Sequence, residues 1–345
     1  MIAGLDEPVI AALIGLAGGI VLGLAARLGR FCSLGAIEDW LYGGDDRRLR
    51  GWGVAIGSAV LATQAAIAAG LIVPLETLHL GHAWSPWASV AGGLVFGYGM
   101  ALAGNCGYGA LARAGGGDLR ALVVILVMGV AAYAVLSGPF AQMRISVFPL
   151  QPAAAPQGLP WLSASPGVAG LLIGAGILAA AAASPRLWAR PALPLWSVAV
   201  GLAVASGWIG TAWVAREGFA ALPVLGHSFA SPVGESVLYL MTASGNRVSF
   251  GVGSVTGILV GAFLASWSRR SFRWEACEDP RELRRQIAGA VLMGAGAVVA
   301  GGCTVGQGLS AFALLSYSAP VTIAAIAVGA ALGLRQLIVG FALPR

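Results

Sequence analysis

Nine separated stretches of this chain are apolar over lengths close to the ~20 residues that an α-helix needs to cross the hydrocarbon of a bilayer. They fall at about residues 9–26, 52–73, 87–103, 121–137, 167–183, 195–214, 249–268, 287–302 and 320–334. They do not alternate apolar and polar residues as barrel strands do. The expected fold is therefore an all-α polytopic membrane protein of about nine transmembrane helices. Charged residues make up only 10% of the chain, against about 25% in a soluble domain. Fifty-two glycines argue for helices packed closely through small residues and broken where the backbone bends.

The loops set the orientation. All 20 cationic residues are arginine, and they sit in short loops, so the net charge of +6 reads as a topology signal and not as nucleic-acid binding. Nine spans with the amino terminus outside place seventeen arginines on the inner side and leave only Arg144, Arg216 and Arg247 outside. The positive-inside rule thus gives an inner-membrane protein with its N-terminus outside and its C-terminus inside. Residues 1–8 carry Asp6 and Glu7 but no cation, and no small-residue cleavage pattern follows the first run, which is read as a retained span. The six prolines of residues 138–166 predict a long extramembrane loop. A charged loop is expected at 43–50 and another at 269–285, and short re-entrant helices are expected, one of them around 231–241.

An internal repeat organises the runs. Residues 91–109, AGGLVFGYGMALAGNCGYG, match residues 288–306, AGAVLMGAGAVVAGGCTVG, at eight of nineteen positions, among them Cys106 and Cys303. A fainter copy at 17–35 places Cys32 at the same point. In the nine-span topology the two better copies run in opposite directions, so residues 1–137 and 195–345 form two inverted pseudo-symmetric halves of one membrane domain. Residues 138–194 supply a loop and a linker helix. Inverted repeats with interrupted helices are a transporter architecture, with the site at the midplane between the halves.

The residues at the interruptions carry the chemistry. Glycines 92, 97, 99 and 104, with 289, 294, 296 and 301, let neighbouring backbones approach, and by themselves imply helix packing. The segments after the two cysteines, 107–109 and 304–308, read as poor helix at membrane depth, where irregular backbone is tolerated only along a cavity or inside protein. Half-helices beyond the breaks would point N–H groups at that cavity, which suits an anion. A single buried cysteine is ordinarily a small hydrophobe. Two matched across an inverted repeat, both at a break, point to a path lined by neutral, polarizable thiols, suited to a soft sulfur-bearing anion. With no CxxC pair, neither a disulfide framework nor a metal site is expected, and no cofactor.

The strings AGGCTVGQGLS at 300–310, LMGAGA at 292–297, AGNCGYG at 103–109 and GRFCSLGAIEDW at 29–40 resemble the YeeE/YedE family of sulfur-transport membrane proteins. The resemblance covers nearly the whole chain. It implies uptake of thiosulfate or a related sulfur anion across the cytoplasmic membrane, with cysteines along a narrow central path handing the anion on through S–H···S contacts. It also implies a small cytoplasmic TusA-like sulfur carrier as partner, beside the surrounding membrane lipid. Carried over residue by residue, Cys106 and Cys303 match the central positions and Cys32 stands for a third thiol. The expected path comprises these three with Asn105, Gly107, Gly302, Thr304 and Gly306, and Arg247 attracts anions at the outer mouth.

Other residues have plainer readings. Cys277 lies among charges in the inner loop, Glu38 and Asp39 read as solvated or paired with Arg47 or Arg48, and His79-x-x-His82 has no third ligand nearby. The rival functions are a membrane thiol sulfurtransferase, passing persulfide from Cys303 to a partner, and a membrane anchor for a soluble sulfur enzyme. A low thiol pKa would need a cation or histidine beside the cysteines, and in the sequence only Arg30, near Cys32, is so placed.

Overall fold

The computed structural model describes residues 6–149, 151–277 and 279–340; the sequence-based placement of residues 1–5 and of Arg345 lies outside them. The described residues form helices and no strand. Among the described residues, seven helical segments are long and apolar enough to cross a membrane. The first contains α1 (Glu7–Leu28) and α2 (Ser33–Gly43), the second is α3 (Arg47–Ala68), and after the short α4 (Leu78–Gly81) the third contains α5 (Pro86–Ala103) and α6 (Gly107–Gly115). Helix α7 (Leu119–Leu136) follows, then the short α8 (Ala141–Val147), the 17-residue α9 (Pro166–Ala182) and the short α10 (Pro185–Trp188). The chain continues through α11 (Ala192–Glu217), α12 (Ser231–Thr242), α13 (Phe250–Ser268), α14 (Pro280–Val299) and α15 (Ser318–Val339).

Each of the nine apolar runs falls on a helix, but two are not among the seven. Helix α9 is just short, and α14 carries Arg281, Glu282, Arg284 and Arg285 in its first two turns. Helix starts follow local chemistry. Pro8, Pro86, Pro166 and Pro280 stand in first turns, where no N–H is missed. Ser85, Asp118 and Ser249 accept the free N–H groups of α5, α7 and α13. The structure corrects three loop boundaries. Arg47, Arg48 and Arg50 belong to the first turn of α3 and residues 280–285 to α14, since ion pairs such as Arg50–Asp46 at 2.6 Å keep charged turns helical. The proline-rich stretch holds α8 and a 3₁₀ turn at Leu159–Leu162, because proline is tolerated at a helix start.

Glycine contact holds the bundle together. Helices α1 and α13 run parallel with backbones touching: a Cβ on Gly19 would meet the Ser254 carbonyl and Gly257 Cα, and one on Gly23 the Ile258 carbonyl. Helix α5 is gripped on two sides. Gly92 and Gly99 lie against Gly296 and Gly289 of the antiparallel α14, and Gly93 and Gly97 against Ile326 and Ala330 of α15. Gly294 lies likewise against Met128 and Ala132 of α7. In lipid no hydrophobic force drives helices together, so this close approach, with its dispersion and Cα–H contacts, is what the glycines contribute. Helix α3 packs between α9 and α11, α11 against α1, and α12 against α7.

Candidate functional site

Helix α5 stops at Gly104, whose φ of +75° is left-handed, and after α14 the repeat-equivalent Gly301 has φ +73°. A side chain at either position would strain the backbone, so glycine defines where both helices break. Two residues later come the thiols. Cys106 caps α6 and its Sγ accepts the Gly109 N–H at 3.4 Å; Cys303 Sγ accepts the Gly306 N–H at 3.5 Å. Cys32 caps α2 in the same way, accepting from Gly35 at 3.5 Å. Each sulfur acts as an acceptor, which leaves its S–H proton free to donate elsewhere. Cys106 and Cys303 are fully buried and Cys32 is half-buried.

The breaks are shorter than the sequence suggests. Gly107, Tyr108 and Gly109 form the first turn of α6, and Thr304 and Val305 are helical, leading into a π-helix at Gly306–Ala311. Without water to satisfy them, backbone N–H groups bond within the chain even where glycine lowers helix propensity. Irregular backbone is confined to 104–106 and 300–303. Beside the thiols, Asn105 Oδ1 and Thr304 Oγ1 are buried and have no hydrogen-bond partner, polar atoms that only a small polar visitor or water would satisfy.

A segment that sequence reading missed completes the site. Residues 224–230 turn inward, burying Val224, His227, Phe229 and Ala230. The Phe229 N–H donates to Cys303 Sγ at 3.4 Å, and Ser228 Oγ lies 3.8 Å from the same sulfur. Ser310 Oγ fastens the turn by donating to the His227 carbonyl at 2.6 Å. One signal was available: Phe229-Ala230-Ser231 repeats Phe31-Cys32-Ser33 at a spacing of 198 residues.

Aromatic rings, of which Tyr108 and Phe31 are close in sequence to Cys106 and Cys32, form one continuous series. Phe250 packs on His227 with ring centroids 4.9 Å apart, and His227 stacks on Phe229 at 6.3 Å. Phe229 meets Tyr108 at 5.9 Å, Tyr108 meets Phe31 edge-on at 6.5 Å, and Phe31 stacks on Trp52 at 4.6 Å. The Tyr108 hydroxyl is turned out of the series, donating to the Leu22 carbonyl at 2.7 Å.

Two cavities lie near this series: Phe250 lines one, and Cys32, the chain neighbour of Phe31, lines the other. One, of about 240 Å³, is lined by Pro8 and Ala11 of α1, by Arg247 and Ser249, and by Phe250. The other, of about 420 Å³, is lined by Cys32, Arg27, Arg30, Arg48, Arg269 and Ser271. Ala11 and Arg27 are sixteen residues apart on α1, so about 24 Å of helix separates the cavities, comparable with the ~30 Å hydrocarbon thickness. Cys106 stands nine residues before Gly115 at the arginine-rich end, about 14 Å in.

The remaining sequence-based candidates lie outside this series. Asp39 pairs with Arg48 at 3.2 Å. His82 Nδ1 is 3.2 Å from the Leu78 carbonyl, and His79 meets Trp208 edge-on. Cys277 is exposed and donates to the Asp279 carbonyl at 3.4 Å. The sequence finds only Arg30 beside Cys32; the structure adds Arg27, Arg48 and Arg269 to the same cavity.

Comparison with known proteins bears on this geometry. A family model described as sulphur transport matches residues 28–332. A thiosulfate transporter, TsuA, of Escherichia coli (strain K12) is 31% identical over 323 residues, covering 88% of each chain. A thiosulfate transporter, TsuA, of Spirochaeta thermophila is 26% identical over 320 residues, covering 88% of this chain and 92% of the relative. With its matched helix breaks, its apolar helices and this similarity along most of its length, the chain belongs to the YeeE/YedE family of sulphur-transport membrane proteins.

Proposed function

We propose that this protein carries a small sulfur anion, thiosulfate, inward across the cytoplasmic membrane through a constriction lined by Cys106 and Cys303, with Cys32 beyond it. The observation that carries the reading is the pair of buried thiols, each at a repeat-matched helix break and each with its sulfur already accepting a backbone N–H. The free S–H of each can donate to the anion's terminal sulfur, and the half-helices behind them present positive dipole ends. Similarity to proteins named as thiosulfate transporters supports the choice of substrate.

Nine spans in two inverted halves fit the packing. Exchanging α1 with α11, α2 with α12, α3 with α13, α5 with α14, α6 with the π-helix and α7 with α15 carries contacts onto contacts. The pair α5–α15 becomes α14–α7, α1–α13 becomes α11–α3, and α7–α12 becomes α15–α2. Helix α9 has no counterpart and acts as the linker. In this arrangement the Arg247 cavity faces outward and the Cys32 cavity faces the cytoplasm, where a TusA-like carrier would receive the sulfur. Burial of Cys106 and Cys303 away from any docking protein favours transport over a thiol sulfurtransferase.

The test is uptake by a Cys106→Ala, Cys303→Ala variant in liposomes. Loss of uptake with the fold retained is expected; a normal rate would remove the thiol mechanism.

A further inference from the structure

We infer that the arginine-bearing end of α13 is a binding site for one anionic phospholipid, on the outer surface of the bundle and apart from the thiols. Exposed Val260, Phe263, Leu264 and Trp267 follow one another at steps of three, one and three residues, which sets them on one face of the helix. Another face, with Gly253, Gly257 and Gly261, lies against α1. The exposed stripe falls within Phe250–Ser268, a segment long and apolar enough to cross a membrane, so acyl chains are what reach it. It is about 10 Å long, most of one leaflet's share of the ~30 Å hydrocarbon. Beyond the helix the chain folds back on the stripe. Phe272 meets Phe263 edge-on with ring centroids 5.5 Å apart, Trp274 meets Phe272 at 5.3 Å, and Trp267 lies 5.8 Å from Phe263. Four rings thus form one cluster whose outer members stay open, Trp267 at 68% exposure and Trp274 at 72%.

Charge at the end of the stripe decides which lipid fits. Arg269, Arg270 and Arg273 are exposed, and among the described residues none of them makes an ion pair. Other arginines on this side are answered by carboxylates: Arg47 by Asp45, Arg48 by Asp39, Arg50 by Asp46 and Arg120 by Asp118. The turn is also built around a cation. The Ser271 N–H donates to the Ser266 carbonyl at 2.9 Å and the Arg270 N–H to the Trp267 carbonyl at 2.9 Å, the two bonds that close a helix around a left-handed residue. Glycine is the usual occupant, yet here it is Arg270, with φ +52°. A strained position that keeps a cation where glycine fits better argues that the guanidinium is used. An anionic phospholipid supplies both complements, an acyl chain for the stripe and a phosphate for the arginines at the interface. An acidic protein would meet the arginines but could not reach Val260, Phe263 and Leu264 inside the hydrocarbon. A second copy packed by two-fold symmetry would cover the stripe but set arginine against arginine.

The experiment is native mass spectrometry of the full-length protein in detergent, titrated with dioleoylphosphatidylglycerol or with zwitterionic dioleoylphosphatidylcholine. The parent is expected to bind the first lipid at least about fivefold more tightly than the second. In Arg270→Gly with Arg273→Gln that preference should fall below about twofold. Because glycine suits the left-handed turn, the unfolding midpoint of this variant in lipid-free detergent should not fall. Trp267→Ala should weaken both lipids alike and keep the preference. Arg186→Gln with Arg190→Gln, two exposed arginines flanking the exposed Trp188, should bind both lipids as the parent does. Equal binding of the two lipids, a preference that survives in the first variant, or an equal loss in the Arg186 and Arg190 variant, as diffuse attraction would give, would overturn the site. So would a dimer of the parent that Trp267→Ala abolishes, since a second copy would then hold the stripe. None of these readouts depends on transport, so failure of the lipid site leaves the transport reading standing.

Discussion

Replacing Cys303 by serine and by alanine separates its structural role from its chemical one. The Cys303 sulfur accepts two buried N–H groups, Gly306 at 3.5 Å and Phe229 at 3.4 Å. Alanine leaves both donors without a partner in a fully buried place. Loss of an N-cap acceptor costs about 0.5–2 kcal/mol, and a second unsatisfied donor adds about 1 kcal/mol at the low end of its range. Sulfur is a weak acceptor at these distances, so a combined loss of about 1–2 kcal/mol is expected. Serine restores a cap oxygen of the preferred type and should unfold within about 0.5 kcal/mol of the parent. Transport should not follow stability. The hydroxyl keeps the cap but offers the anion's sulfur no polarizable S–H, so Cys303→Ser and Cys303→Ala should both lose uptake by tenfold or more. Thermal or denaturant unfolding in detergent, beside uptake of labelled thiosulfate into liposomes, reads both quantities. A serine variant that transports at the parent rate would refute the thiol argument and leave Cys303 a helix cap only.

Two further outcomes follow from packing and charge. Gly97→Ala places a Cβ against the Ile326 carbonyl and the Ala330 nitrogen of α15, both backbone atoms that cannot swing away. A loss of about 1–3 kcal/mol is expected, read as a lower unfolding midpoint in detergent, whereas Gly43→Ala, which meets nothing within 4 Å, should change little. In the loop before α3, hydrogen bonds from the Arg47 guanidinium and backbone N–H hold the Asp45 carboxyl down to about 2. A depressed acid contributes stability above its unfolded pKa of about 3.9 and loses it as pH falls through the folded value. Acid unfolding curves between those limits should therefore flatten in Asp45→Asn, and an unchanged slope would show that the pair does not persist in solution.

The sequence carried the helices and the thiols but not their company. Apolar run length marks helices directly: all nine runs fell on helix, and seven of them lie in segments long and apolar enough to cross a membrane. The repeat located Gly104, Cys106, Gly301 and Cys303 because a left-handed glycine followed by a cap is a local requirement that leaves a local signature. Ser228 and Phe229 reach Cys303 from about 75 residues away along the chain, through a turn with no periodicity. Only tertiary packing brings them in. Arg48 and Arg269 read as loop charge because nothing in their neighbours' identities places them over Cys32. The short glycine-containing segments at 107–109 and 304–308 looked irregular because propensity scales describe helices in water. Inside the bundle, unsatisfied backbone costs more than glycine's entropy.

The most direct measurement of the central claim is labelled thiosulfate uptake into liposomes holding the purified protein, with unlabelled sulfate or sulfite in excess. A thiol-lined path predicts saturable thiosulfate uptake that sulfate does not inhibit, since sulfate has no terminal sulfur for Cys106 and Cys303 to engage. Uptake that sulfate blocks as well as thiosulfate does, or no uptake of any sulfur anion, would contradict it.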